Sequence, residues 1–333
     1  MTDAPTAPLP AAPPRGATRT AADATLVVEG VTKRYGDFTA VDDVSMTARP
    51  GRILGVLGPN GAGKTSTIRM VTGITIPDAG RVTVGGVQVG AETQARMGYL
   101  PEERGLYRKL KVGEQLVYFA ELRGLPRAEG RARTAHWLGR LGLADWAGRK
   151  TEELSKGMQQ KLQFVMTVLH EPDLLVFDEP FSGLDPINAE LLRDIVLELR
   201  ADGRTILFAS HRMEQVERLC DDLCLIARGR VVLSGTMREV KQQFGRDVVL
   251  LDFGGTSAFL DTLAREGAIR IIERGPAAAE VQLLGGTPSR RVLDAALAEV
   301  TDLYRFELAE PSLQEIFVRT VGEAAQPSPR PTG

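Results

Sequence analysis

The chain has 333 residues, 43% of them apolar and 25% charged, and its 41 basic and 43 acidic side chains leave a net charge of −2. That length excludes one small module, and that composition excludes wholesale disorder. A charge so near zero supplies no polyelectrolyte field for nucleic acid or anionic lipid, and no run of about 18 apolar residues is present to span a bilayer.

Residues 1–24, MTDAPTAPLPAAPPRGATRTAADA, are crowded with Ala, Pro and Thr and are expected to form a disordered arm. Residues 321–333, VGEAAQPSPRPTG, read the same way, as a disordered tail. The start lacks the basic-then-apolar pattern of a secretory signal. Cys220 and Cys224 are too few for a disulfide framework, so a reducing cytoplasmic setting is expected and both thiols read as small buried apolar groups.

Arg52–Leu57 is a short apolar run expected as a strand buried on both faces of a parallel sheet. It leads into Gly58-Pro59-Asn60-Gly61-Ala62-Gly63-Lys64-Thr65, which fits G-x-x-x-x-G-K-[ST], and the periodic segment Thr65–Val71, closed by Gly73, follows as a helix. A strand, loop and helix in that order aim backbone N–H groups and a helix N-terminus at phosphates. Lys64 would reach the β- and γ-phosphates, Thr65 would place its hydroxyl on Mg²⁺, and Ser66 would touch a phosphate oxygen.

Leu174–Phe177 is a second apolar strand, and it ends in Asp178-Glu179-Pro180, two carboxylates at the carboxyl edge of the sheet where open α/β folds bind ligands. Paired with the phosphate loop, Asp178 is expected to hold Mg²⁺ through water, and Glu179 to orient and deprotonate the attacking water. Asp185 then reads as an N-cap with Pro186 at the first helical position, and Leu192, Ile195, Val196 and Leu199 recur at helical spacing until Gly203. Thr205–Ala209 is the next strand, ending at Ser210-His211, while His136 and His170 have no such context and read as structural.

Beyond about residue 245 the pattern changes to strand Val248–Phe253, helix Thr256–Glu266, strands Ala268–Glu273 and Glu280–Leu284, helix Pro288–Val300 and strand Asp302–Leu308. That β-α-β-β-α-β order matches a ferredoxin-like plait, with a closing helix at Ser312–Val321.

Taken together, residues 25–245 resemble the nucleotide-binding domain of the ABC (ATP-binding cassette) ATPases. Leu154-Ser155-Lys156-Gly157-Met158-Gln159 occupies the place of the family signature, and the stretch between the phosphate loop and Asp178 leaves room for a helical subdomain at about 100–165. Ser182-Gly183-Leu184-Asp185 resembles the D-loop, His211 the switch histidine, and Tyr35 in Lys33-Arg34-Tyr35-Gly36 the aromatic that stacks on adenine. The fold implied is an α/β P-loop NTPase, followed at 246–320 by a small α+β ferredoxin-like domain. The resemblance implies that two cassettes close head to tail on two ATP molecules, each site joining Lys64, Asp178, Glu179 and His211 of one to Ser155 and Gly157 of the other. Ser155 is placed to cap the helix that follows it, and His211 to hydrogen-bond the γ-phosphate.

Two positions depart from the commonest family pattern. Lys156 stands where the signature usually has glycine, and its side chain either meets nucleotide oxygens or points to solvent. Glu102, in Gly98-Tyr-Leu-Pro-Glu102-Glu-Arg-Gly-Leu-Tyr107, stands where the Q-loop usually has glutamine; a carboxylate there can approach Mg²⁺ but loses the amide donor. Both variants, Glu310-Pro-Ser-Leu-Gln-Glu-Ile-Phe317 and the appended domain look like the cassettes of ABC-2-type exporters, including sodium- and drug-export subunits.

The expected function is therefore an ATP-hydrolysing exporter subunit, peripheral on the inner face of the cell membrane, working with a separate permease and a second cassette as homodimer or heterodimer. ATP and Mg²⁺ are the expected ligands, and no nucleic acid is expected. The alternative is a soluble ABC ATPase acting on ribosomes or nucleic acid. It fits less well, because the chain has neither a second cassette nor a long coiled coil or zinc module.

Overall fold

The computed structural model of the chain describes residues 26–103, 105–245 and 247–324. The arm expected at 1–24 lies outside the described residues, as does the tail beyond 324. The chain opens with β1 (Leu26–Tyr35) and β2 (Phe38–Ala48), then β3 (Ile53–Leu57), α1 (Lys64–Val71), β4 (Ala79–Val84), β5 (Val87–Gln88), α2 (Ala91–Ala95) and β6 (Met97–Leu100). Three helices follow, α3 (Val112–Leu122), α4 (Arg127–Arg140) and α5 (Lys156–Val168), and they form the helical insertion expected between the two chemistry-bearing strands. Next come β7 (Leu174–Asp178), α6 (Pro186–Ala201), β8 (Thr205–Ser210), α7 (Met213–Leu219), β9 (Asp222–Ala227), β10 (Arg230–Thr236) and α8 (Met237–Gln243).

A six-stranded sheet in the order β10-β9-β3-β8-β7-β6 organises this part, parallel except where β10 turns back on β9. Every residue of β3, β7, β8 and β9 is buried, which is why those segments read as continuous apolar runs. Alternate side chains feed two cores. Ile53, Leu57, Leu175, Phe177, Ile206 and Phe208 enter one with the helices, and Leu54, Val56, Leu174, Val176, Leu207 and Ala209 enter the other beneath the second sheet. Gly55 sits under α7, where a Cβ would lie 2.7 Å from Val216 and 2.9 Å from Cys220 Sγ. Both cysteines are free and buried, as expected, and burial pushes Cys224 up to about 12.

The second sheet, β2-β1-β4-β5, is antiparallel. Its strands leave no clear period of two in the sequence, because Gly30 (φ 58°) and Asp43 (φ 55°) break the alternation and the register shifts three times between β1 and β2.

The last region is β11 (Val248–Gly255), α9 (Ala258–Arg265), β12 (Ile269–Arg274), β13 (Ala278–Leu283), α10 (Ser289–Glu299), β14 (Val300–Ala309) and α11 (Leu313–Ala324). Its sheet is β12-β13-β11-β14 with every pair antiparallel, the strand order of a ferredoxin-like plait. Phe253, Phe259, Val281, Val292 and Ala296 belong to its separate core. Helix α11 differs from expectation in two ways. It runs to Ala324 rather than ending where the tail was expected to begin, and its Leu313 and Ile316 join the core of the large sheet instead of the plait. The cause is the contact with α7, whose Glu217 Oε2 accepts from Leu313 N at 3.2 Å.

Candidate functional site

The loop between β3 and α1 is built on glycine conformations that other residues avoid. Gly61 and Gly63 have φ of 78° and 105°, and a Cβ on Gly63 would lie 2.5 Å from Ala40 O. Gly58 serves a different purpose, since its Cβ would fall 2.2 Å from Ile226 O on β9; it lets the loop press against the neighbouring strand. Lys64 is 8% exposed, and its ammonium donates to Gly58 O at 2.7 Å and Pro59 O at 3.0 Å, so it turns back over the loop. Burial holds that ammonium below its ordinary pKa, opposed by the charges of Glu179, Asp178 and Glu102.

At the carboxyl end of β7, Asp178 is 3% exposed and Glu179 8%. Burial, reinforced by Glu102 and Glu179 and offset by Lys64, pushes Asp178 up to about 6. Glu179 has φ 51°, a left-handed conformation rare for a residue with a side chain. Its carboxylate is held by Ser210 Oγ (3.1 Å), the His211 backbone N–H (2.7 Å) and His211 Nδ1 (2.6 Å). The end of β8 and the residue after it thus fix the orientation of an acid carried just beyond β7.

These residues meet in one open cleft of about 470 Å³, lined by Tyr35, Asn60, Gly61, Gly63, Lys64, Thr65, Ser66, Glu102, Asp178, Glu179 and His211. Gly58, Pro59 and Ala62 shape the loop without lining the cleft. Phe38 and Ala40 line it as well and were missed; they sit just beyond Tyr35 across a tight hairpin whose strands the sequence did not announce. Ser210, quoted in the sequence without a role, is the second holder of Glu179.

The signature-like segment lies elsewhere. Ser155 is the N-cap of α5, its hydroxyl accepting from Met158 N at 3.2 Å, and Ser155 and Lys156 are exposed while Gly157, Met158 and Gln159 are half-buried. None of the five lines the cleft. Asp185 caps α6 as expected, accepting from Asn188 N at 3.0 Å, and also stays outside the cleft. His170 is structural: Nε2 lies 3.1 Å from Met97 O, and burial pulls its pKa down to about 4. His136 packs edge-on against Trp137.

Among the described residues no three His, Cys, Asp or Glu side chains stand close enough to hold a metal by themselves. The oxygen donors of Thr65, Asp178 and Glu102 nevertheless face one cleft, where burial first and the neighbouring carboxylates second raise Asp178. That donor set suits a hard cation completed by phosphate and water oxygens.

Comparison with known proteins gives concordant findings. Residues 41–182 match the ABC transporter family, and residues 235–321 match the C-terminal domain of DrrA1-3-like ATP-binding proteins. The chain is 42% identical over 297 residues to an uncharacterized ABC transporter ATP-binding protein, YhaQ of Bacillus subtilis, covering 89% of this chain and 98% of that one. It is 37% identical over 305 residues to a Nod factor export ATP-binding protein I of Ralstonia nicotianae, covering 89% and 94%. A solved structure of an ATP-binding subunit of an ABC transporter superposes with a TM-score of 0.63 at 34% identity, covering 66% of this chain and 93% of that one.

Proposed function

The chain belongs to the ATP-binding proteins of ABC transporters, a family of ATPases, and on that premise we propose that it powers export through a separate membrane permease. The observation that carries the proposal is the convergence of Lys64, Thr65, Asp178, Glu179 and His211 on one cleft. Tyr35 at the cleft mouth, 47% exposed, offers a ring for the adenine, and the loop N–H groups with the start of α1 face the phosphates. Mg²⁺, held by Thr65 and Asp178 with Glu102 nearby, would neutralise charge on the phosphate oxygens. Glu179 takes the proton from the attacking water as its oxygen bonds the γ-phosphorus and ADP departs, while Lys64 swings from Gly58 O and Pro59 O to the phosphates. His211 is more than half exposed on its side chain, at 56%, and turns from Glu179 to the γ-phosphate, freeing the carboxylate.

The exposed positions of Ser155 and Asp185, away from their own cleft, support a role in the site of a second cassette. No helix among the described residues is long and apolar enough to cross a membrane; on this reading the pore belongs to another polypeptide, with this chain peripheral on the inner face. Tyr107 (53% exposed), Leu110 (39%), Tyr118 (46%) and Leu122 (61%) are exposed apolar side chains of the helical insertion and the segment leading into it, available to that partner. The test is Glu179→Gln: ATP binding persists and steady-state hydrolysis falls at least ~10²-fold, and near-normal turnover would sink the assignment. Lys64→Ala weakens ATP affinity itself; unchanged affinity removes the phosphate-loop role. Affinity capture from detergent-solubilised membranes should bring down an integral protein.

A further inference from the structure

Among the described residues Lys161 is a buried charge with no carboxylate within ion-pair distance, Asp185 acting on it only from further off. It lies on α5, is 8% exposed, and donates from Nζ to Leu141 O at 2.8 Å and to Asn188 Oδ1 at 3.1 Å. Leu141 is the C-cap of α4, so the ammonium meets the negative end of that helix. Asn188, in the first turn of α6, passes the contact on, since its Nδ2 donates to Asp185 Oδ2 at 2.5 Å and its N–H to Asp185 Oδ1 at 3.0 Å. A buried ammonium is costly to desolvate, and its contacts with Leu141 O and Asn188 Oδ1 offset part of that cost. Those same two contacts tie the start of α6 to the end of α4 through α5, a link that apolar packing alone would not specify.

Two further contacts run along the same seam. Gln160 Nε2, also buried, donates to Pro180 O at 2.9 Å. A Cβ on Gly157 would lie 3.6 Å from both Gly183 O and Leu184, so the first turn of α5 rests on the 183–184 turn. The N-terminus of α5, capped by Ser155, and that of α6, capped by Asp185, are therefore laced side by side. Neither cap lines the chain's own nucleotide cleft.

We propose that Lys161 is a positioning residue that, through Asn188, locks the starts of α5 and α6 into one unit, so that Ser155 and Asp185 reach a partner cassette's nucleotide at a fixed spacing. The proposal rests on the two-cassette reading above. On this view Lys161 is silent in nucleotide binding by one chain and felt in the ATP-driven dimer and its turnover.

The experiment compares full-length Lys161→Met, Lys161→Arg, Asn188→Ala and the Met/Ala double variant. Affinity for a fluorescent ATP analogue at low protein concentration should stay within about twofold, while kcat falls about tenfold in Lys161→Met, equivalent to about 1.4 kcal/mol in the barrier. Asn188→Ala, a half-buried position that leaves the Leu141 contact intact, should reproduce most of that loss and add little to Lys161→Met, and Lys161→Arg should recover most of it. Wild-type kcat in Asn188→Ala, or losses that simply add, would overturn the inference, as would a kcat that merely tracks a lowered Tm. Size-exclusion of the Glu179→Gln chain with ATP separates the two levels. No ATP-driven dimer overturns the reading that two copies of this chain close on ATP, and this inference with it, whereas a dimer that Lys161→Met leaves undisturbed overturns the inference alone.

Discussion

The large sheet and the plait bury their side chains by different rules. Around the large sheet, Lys64, Lys161, Asp178, Glu179 and Asp222 are buried charged groups; Lys161, Glu179 and Asp222 are held by partners from neighbouring elements and Lys64 by its own loop. Among the described residues from β11 onward, no charged or polar side chain is buried to that degree, and the ion pairs Arg274–Asp261, Arg291–Glu266 and Arg305–Glu307 sit at the surface. Surface pairs of that kind contribute about 0–1 kcal/mol each. The difference teaches where free energy is committed: one region holds charges out of water in order to do chemistry, and the other is held almost wholly by apolar packing.

The sharpest break of that comparison is at Gly58. A Cβ there would sit 2.2 Å from the Ile226 carbonyl, a backbone group that cannot step aside. Gly58→Ala should displace the phosphate loop and abolish ATP binding, read by titration with a fluorescent ATP analogue. Normal binding would show that the loop has slack the close approach denies. The matching change in the plait is Phe253→Ala, which empties a fully buried ring site packed against Phe259 at 5.7 Å. It should cost about 3–5 kcal/mol of stability in the plait, seen as a separate early thermal transition, while affinity for ATP is retained. Loss of ATP affinity in step with that transition would mean that the two cores unfold together.

The same contrast explains what could be read from the residues alone. β3, β7 and β8 were legible because strands buried on both faces are uninterrupted apolar runs, and the phosphate loop because glycine, lysine and threonine occur at a spacing that few other structures need. The plait was legible from its alternation of strand and helix periods. β1 and β2 were not, since bulges erase the period of two, and Phe38 and Ala40 went unseen with them. The left-handed backbone of Glu179 leaves no mark in composition, because it is imposed by the hydrogen bonds from Ser210 and His211 across the sheet. Nor could the destination of α11 be read: an amphipathic helix shows that it has an apolar face, not which core the face will join.

That destination sets up the smallest and most particular test, at a place where the plait departs from its own rule. Glu280 on β13 meets Glu315 on α11, and Glu315 Oε1 is buried with no hydrogen-bond donor among the described residues. Burial, then the Glu315 carboxylate and Glu273 on β12, push Glu280 from its ordinary 4.5 up to about 7. A carboxyl whose folded pKa is raised holds its proton more tightly when folded than when unfolded. Stability from this seam is therefore full below about pH 4.5 and declines as pH rises toward about 7, above which the loss is complete. Glu280→Gln supplies a permanent neutral donor to Glu315, so its Tm should match that of the unaltered chain near pH 5 and exceed it by a few degrees at pH 8. An equal Tm at both pH values would show that the two carboxylates do not share a proton, and that the seam between plait and α11 follows the apolar rule after all.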